Sequence, residues 1–281
     1  MITPQEWEEL FPERWGIGQR WRMEYYDTPF YNPSMETDYY SYNNFSRAVG
    51  RARELGLDRF LDEPGTTPEE RLRERTGFVA TIAHQTSNGV DGLYYREMLS
   101  HERYVCGKID LFHNVRHRTD FITSSRPSYY PEACHNAGEL RFPQQSYHGR
   151  GAIQLTGAYN YGLFSEFVFG NPDKLLQNPD LLLTDGCLGF LSAIWYWMTD
   201  MGKRPSAHRA IYRHMKHSIS WGFGHTIVHV TDGAEADACE GGPTDKDRSV
   251  TARVCRYRAY AQRFGIRIGL NGEQLDTRGL S

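Results

Sequence analysis

The stretch Tyr147-His148-Gly149-Arg150-Gly151-Ala152-Ile153-Gln154-Leu155-Thr156-Gly157-Ala158-Tyr159-Asn160-Tyr161 concentrates side chains that make directed hydrogen bonds. Three glycines let the backbone approach a partner closely and take positive φ. Gln154, Thr156 and Asn160 supply donors and acceptors that a buried strand would have to satisfy internally. Only Ile153 and Leu155 are committed aliphatic core. The mixture suits a surface that meets a polar ligand; the plainer reading is a glycine-rich turn leading into a helix.

Other chemistry-bearing residues are scattered. His113 with His117, His214 with His217 and His225 with His229 have the spacing of helical metal ligands, but no acidic or thiolate partner is fixed beside any of them, so each reads as a surface pair. No metal and no cofactor are expected. The net charge of -3 lacks the basic excess that phosphate binding requires, which argues against nucleic acid as a partner. Aromatic residues make up 14% of the chain; surface rings can stack on sugar faces, but in a helical protein such rings are more often core, which is the favoured reading.

The elements that must position these residues are helical. Thr3-Pro4-Gln5-Glu6 predicts a helix start with a capping box, followed by Trp7, Leu10 and Phe11 on one face. Residues 12 to 38 read as an ordered loop, and Tyr40-Ser41-Tyr42-Asn43-Asn44-Phe45 leads into a helix through Ala48 and Leu55. Thr67-Pro68-Glu69-Glu70 opens an amphipathic helix of about four turns, with Leu72, Val79, Ile82 and Ala83 inward. After Asn178-Pro179-Asp180, Thr184 or Asp185 caps an apolar helix through Leu188, Leu191 and Ala193 to Met198, which encloses the Cys187 thiol. A last helix carries Val250, Val254, Tyr257, Ala261 and Phe264 as a stripe and ends at Gly265.

Taken together, YHGRGAIQLTGAYNYG, NPDLLLTD and AIWYWMT resemble the core of glycoside hydrolase family 19, the plant-type chitinases. The resemblance begins near residue 2 and runs to about residue 266, with 100–145 as a long variable loop inside a single domain covering 1–281. It implies a mainly α, two-lobed lysozyme-like fold with a substrate cleft. The helix signals support an α-rich class independently.

In that family the helix after the Thr-Pro start carries Arg-x-Arg-Glu, then Phe, and ends at His-Glu-Thr-Thr-Gly-Gly, whose glutamate is the general acid. Here Arg71-Leu72-Arg73-Glu74, Phe78 and His84-Gln85-Thr86-Ser87-Asn88-Gly89 align without a gap and place Gln85 on the acid. A carboxamide keeps the shape and hydrogen bonds of the acid but has no proton to give. The resemblance puts the general base at Glu97, after Gly92-Leu93-Tyr94-Tyr95-Arg96, with Thr156 helping to hold the attacking water. In an inverting hydrolase the two carboxyls stand about 6.5–9.5 Å apart. Asp91 and Glu102 are the nearby carboxylates that a displaced acid would draw on.

The family's sugar contacts map onto Tyr147, Gln154 and Asn160, with His148 replacing a second aromatic. Arg204, in Lys203-Arg204-Pro205-Ser206-Ala207-His208, takes the place of a basic residue by the cleft. Asp232 takes the place of a sugar-binding asparagine. Arg253 matches an arginine that reaches the catalytic carboxylates; with Gln85 there, it is expected to hydrogen-bond or to pair with Glu97. Cys106 with Cys134 is the expected disulfide, by likeness to a family pair, and Cys239 with Cys255 a second.

No apolar run approaches the ~18 residues that span a bilayer, so no membrane association is expected. Met1-Ile2-Thr3-Pro4 is not a signal peptide, while the resemblance favours an extracellular setting. The favoured reading is a chitinase-like protein that binds β-1,4-linked N-acetylglucosamine polymers, hydrolysis being weak or lost. The alternatives are an active inverting endo-hydrolase of chitin or peptidoglycan with a displaced acid, and a non-catalytic interaction or structural use of the fold.

Overall fold

The computed structural model describes residues 2–11, 38–86, 147, 149–202, 204–212 and 220–281. Within them the helices are α1 (Pro4–Leu10), α2 (Tyr42–Glu54), α3 (Pro68–Gln85), α4 (Ala158–Phe169), α5 (Asp173–Gln177), α6 (Leu181–Thr184), α7 (Gly186–Met198), α8 (Ala207–Ile211), α9 (Phe223–Val230) and α10 (Asp245–Arg263). The described residues form no sheet, only isolated bridges such as Arg150 with Leu155. None of the described helices is long and apolar enough to cross a membrane. Two compact units result, one of Met1–Pro12, Ala52–Gly92 and Ile194–Ser281, the other of Glu13–Arg51 and Leu93–Ala193.

The first unit is built around α3. Its start follows from the sequence: the Thr67 hydroxyl accepts from Glu70 N at 3.2 Å, the Glu70 carboxylate accepts from Thr67 N at 2.8 Å, and Pro68 occupies the first turn. The expected one-sided burial is corrected, because every residue from Thr76 to Ala83 is buried. The physical reason is that α3 packs against α10, α8 and α9 at once. The packing is close at Gly77, where a Cβ would meet Trp197 at 3.4 Å and Ile211 at 3.5 Å, in ordinary van der Waals contact. Phe60 and Trp197 set their rings edge-on to Phe78, with centroids 4.9 and 5.5 Å away.

Burial on all sides encloses charge as well. Glu74 has no exposed surface, and its carboxylate accepts from Leu61 N at 3.1 Å, Trp197 Nε1 at 3.0 Å and the Tyr212 hydroxyl at 2.8 Å. His208 Nδ1 lies 2.6 Å from the same carboxylate, while its Nε2 lies 3.2 Å from Glu63. Burial pulls the imidazole toward neutrality, but the Glu74 and Glu63 carboxylates outweigh it and raise the pKa above the ordinary histidine value. A buried carboxylate with this many donors is fully paid for in hydrogen bonds.

The second unit gathers its aromatic core around α7 and α4. Tyr40 and Phe45 set their rings edge-on to Phe190, and the Tyr39 hydroxyl donates to the Leu182 carbonyl. Gly189 is required by that contact, since a Cβ would fall on the Tyr39 hydroxyl. Of the two cap candidates, Asp185 is the one used: its carboxylate accepts from Leu188 N at 3.1 Å, whereas the Thr184 hydroxyl turns back to Asp180 O. Cys187 is enclosed as expected, and burial pushes its thiol pKa up.

Two expectations fail. Cys239 and Cys255 are separate free thiols, Cys255 on the exposed side of α10 and Cys239 in the turn before it. His229 is not a surface residue but 2% exposed, its Nε2 bonded to Tyr196 O at 2.9 Å, while His225 turns to the Ser220 hydroxyl. A helical repeat of four brought the two histidines onto one side of α9, and that side faces protein. No cluster of metal-ligating side chains occurs among the described residues. Cys106, Cys134, His113, His117, His214 and His217 lie outside them.

Candidate functional site

Helix α3 delivers Gln85 at its last position, half-buried, and Thr86 closes the helix with its hydroxyl on Ile82 O at 2.6 Å. From α10, Arg253 reaches toward it with 4% of its surface exposed. One guanidinium nitrogen, Nη2, donates to Gln85 Oε1 at 3.4 Å. The same group forks onto Glu235, Nε to Oε2 at 2.8 Å and Nη2 to Oε1 at 3.0 Å. Since a guanidinium has only donors, the atom that Gln85 turns to it has to be the oxygen. The carboxamide therefore keeps its NH2 for whatever lies on its other side.

Glu235 is the residue that sequence reasoning missed. It follows α9 in a run of turns, where Thr231 Oγ1 accepts from its N–H and its own carbonyl accepts from the Thr277 hydroxyl at 2.5 Å. Ser249 Oγ adds a 2.9 Å bond to Oε1, so both carboxylate oxygens are occupied. Of the two expectations for Arg253, the hydrogen bond to Gln85 is present; Glu97 lies outside the described residues, and among them Glu235 is the carboxylate that holds the guanidinium. The available signal was four acidic residues, Asp232, Glu235, Asp237 and Glu240, in the short segment between α9 and α10, and sequence alone could not single out the one that meets a residue eighteen positions on.

Next to Gln85, His84 accepts from Arg256 Nη1 on Nδ1 at 3.3 Å. Burial first, then the charges of Arg253 and Arg256, hold its pKa down at about 2. The imidazole is accordingly neutral, with its proton on Nε2, and it reports a positive field at the end of α3.

Arg204 and Asp232, expected as separate sugar contacts, are joined in an ion pair. Asp232 sits at φ 59° and Gly233 at φ 78°, a turn that lets the Arg204 fork lie close over Gly233, 3.2 Å from where a Cβ would stand. About a quarter of each side chain remains exposed, 26% for Arg204 and 23% for Asp232, so the pair presents a surface with its charges mutually cancelled.

In the second unit the glycine-rich stretch is a tight loop. Arg150 and Leu155 exchange backbone bonds at 3.3 and 2.8 Å, with Gly151 at φ 74° and Gln154 at φ 55° between them. A Cβ on Gly151 would come within 2.9 Å of the Gly189 carbonyl, which fixes glycine there. The loop's polar side chains first satisfy the loop. Gln154 Nε2 donates to Gly151 O at 2.9 Å, the Thr156 hydroxyl to Gln154 O at 2.8 Å, and Asn160 Nδ2 to Thr156 O at 2.9 Å. Arg150 is 3% exposed and clamps Asp180 and the Tyr161 hydroxyl.

Those bonds consume donors and leave acceptors. Asn160 Oδ1 is enclosed with no hydrogen-bond partner among the described residues. Tyr147 departs from the expected surface position: it has no exposed area, its hydroxyl donates to Leu176 O at 2.6 Å, and its ring meets Tyr161 edge-on at 5.3 Å. It supports the loop from inside the core. Glu97 and His148, and the carboxylates Asp91 and Glu102, lie outside the described residues.

Residues 32–276 match the family model described as chitinase class I. Endochitinase 3 of Nicotiana tabacum is 30% identical over 247 residues, covering 85% of this chain and 64% of its own length. An endochitinase of Pisum sativum is 37% identical over 136 residues, 46% of this chain and 40% of its own length. The chain thus spans less than two thirds of these plant relatives. Among solved structures, chitinase C from Streptomyces griseus superposes with a TM-score of 0.59 at 22% identity, covering 98% of this chain and 79% of that one. A class IV chitinase from Zea mays gives 0.56 at 21% identity, covering 97% of both. At these identities the likeness speaks for the fold, and the mainly α, lysozyme-like fold expected from sequence is the one present.

Proposed function

From the premise that this chain belongs to the class I chitinases of glycoside hydrolase family 19, we propose that it binds β-1,4-linked N-acetylglucosamine chains and hydrolyses them weakly or not at all. One observation carries the reading. The residue at the end of α3, where the family's acid belongs, is a carboxamide whose oxygen faces Arg253. Protonating the glycosidic oxygen needs an O–H within reach, and general-acid assistance contributes typically about 10²–10⁴ in rate. Gln85 offers N–H donors that hydrogen-bond a sugar oxygen without transferring a proton to it.

The remaining parts support binding. Asn160 Oδ1 is an enclosed acceptor that a ligand N–H or O–H would satisfy, and leaving it unmet costs about 1–3 kcal/mol. Thr156, having given its proton to Gln154 O, keeps lone pairs to which a water can donate. In this reading Glu97 is the base on that water, and Gln154, His148, Arg204, Asp232 and Arg253 frame the sugar sites. Glu235 does not replace the acid, because its oxygens are occupied by Arg253 and Ser249.

Calorimetry with a chitin hexasaccharide, with products followed in the same sample by mass spectrometry, tests the proposal. Saturable binding with the hexasaccharide intact is the expected result. Rapid cleavage with inverted product anomers would show that another group donates the proton, and absence of binding would move the ligand away from chitin altogether.

A further inference from the structure

The end of α3 offers hydrogen-bond donors to a ligand and lacks a free acceptor. Gln85 spends its oxygen on Arg253 and keeps its NH2. Arg253 is 4% exposed, and its Nη1 is enclosed without a hydrogen-bond partner among the described residues. A guanidinium that is desolvated and incompletely matched is a poor resting state, since each unmet charged donor forfeits the hydration it had in the unfolded chain. Glu235 supplies one negative charge in a fork geometry and has its oxygens filled. The complement of such a locus is an acceptor with its own negative charge.

Resting on the reading that the protein binds glycans, we propose that this locus selects glycans carrying a carboxylate, on the ring or on an ether substituent, over neutral N-acetylglucosamine chains. The ligand's carboxylate takes the edge of the Arg253 guanidinium that the Glu235 fork leaves unmatched, at Nη1, beside Gln85. A glutamate at 85 would repel that ligand; a glutamine does not.

The bond lengths favour the exchange. The Arg253 to Gln85 bond is 3.4 Å, at the long end for N–H···O, and it joins a charge to a neutral oxygen. A carboxylate approaching the same guanidinium forms a charge-assisted bond of about 2.7–2.9 Å and can engage it through two atoms. The Gln85 NH2 then donates to the second carboxylate oxygen. His84 adds no competing acceptor, because its Nδ1 lone pair is taken by Arg256. Burial is the main reason that His84 is neutral, and the Arg253 and Arg256 charges that add to it favour an anion nearby. Opposing this are the Glu235 carboxylate, already paired with Arg253, and the partial negative charge of about half a unit at the C-terminal end of α3; Arg256, bonded to His84, supplies a second positive charge beside them.

Three tetrasaccharides of equal length decide the matter by fluorescence titration of the natural protein: an N-acetylglucosamine oligomer, its analogue with a lactyl ether on alternate sugars, and one alternating N-acetylhexosamine with a uronate. An acidic ligand is expected to bind at least about tenfold more tightly than the neutral one, the scale of one charge-assisted hydrogen bond. That advantage shrinks as salt rises. Whichever acidic ligand gains identifies the position of the carboxylate. In Gln85→Glu, read by rapid mixing before any cleavage, the preference disappears or reverses. Neutral binding as tight as both acidic ligands overturns this proposal and leaves the glycan-binding reading standing. Binding of none of the three ends both, and the comparison in the natural protein stands even where the variant fails to fold.

Discussion

Helix α3 carries two charged clusters, and they obey different rules. At Glu74, deep in the first unit, one carboxylate meets three N–H or O–H donors and a histidine, and nothing is left over. At Gln85, at the helix's end, a guanidinium is shared between a carboxylate and a carboxamide, with Nη1 unmatched and the carboxamide NH2 unspent. The first arrangement is what burial enforces, because an unsatisfied ion in the interior is costly. The second leaves bonding capacity where a ligand would use it. The contrast suggests a division of labour along one helix, with stability at its middle and recognition at its end.

The sharpest way to break this contrast is to damage the deep cluster. Glu74→Ala strands Trp197, Tyr212, Leu61 N and His208, and it should cost about 3–5 kcal/mol of unfolding free energy. Gln85→Ala at the other end should cost well under half as much. Chemical denaturation of the two variants measures both, and equal losses would mean that Gln85 is as structural as Glu74.

A smaller effect separates the clusters by pH. His208 has a folded pKa above its unfolded value near 6.5, so its stabilisation is full below that value and is lost as pH rises through the folded pKa. His84, held at about 2 by burial and two arginines, is neutral when folded but takes up a proton when unfolded below about 6.5. Its contribution therefore falls as pH is lowered from about 6.5 toward 2. Melting temperatures should fall as pH is lowered below about 6.5 and again as pH rises through the folded pKa of His208. His208→Gln should flatten the alkaline limb relative to its own maximum and His84→Gln the acid limb; identical limbs in the variants and the natural protein would contradict the assignment.

Much of the scaffold was legible before any coordinates. The Thr3 and Thr67 capping boxes, the Val250 to Ala261 stripe and the buried Cys187 each depend on spacing within a few residues, which a sequence displays directly. What escaped depends on partners far along the chain. Glu74 and His208 look like ordinary helix-surface residues until Trp197 and Tyr212 enclose them. Arg253 was recognisable as a site residue, but Glu235 as its partner was not, and Cys239 and Cys255 share a segment without sharing a bond. Tyr147 belongs to a stretch of polar character, yet its side chain points into the aromatic core. A local pattern does not say which side of a loop faces inward.

The account depends most on Gln85, and a single exchange addresses it. Restoring the carboxyl in Gln85→Glu changes shape little and supplies the missing proton, so hydrolysis of a chitin hexasaccharide should rise by about 10²–10⁴ over the natural protein, with inverted product anomers. A variant that folds, binds the hexasaccharide as the natural protein does and still leaves it uncleaved would show that more than the acid is missing and would contradict the central claim.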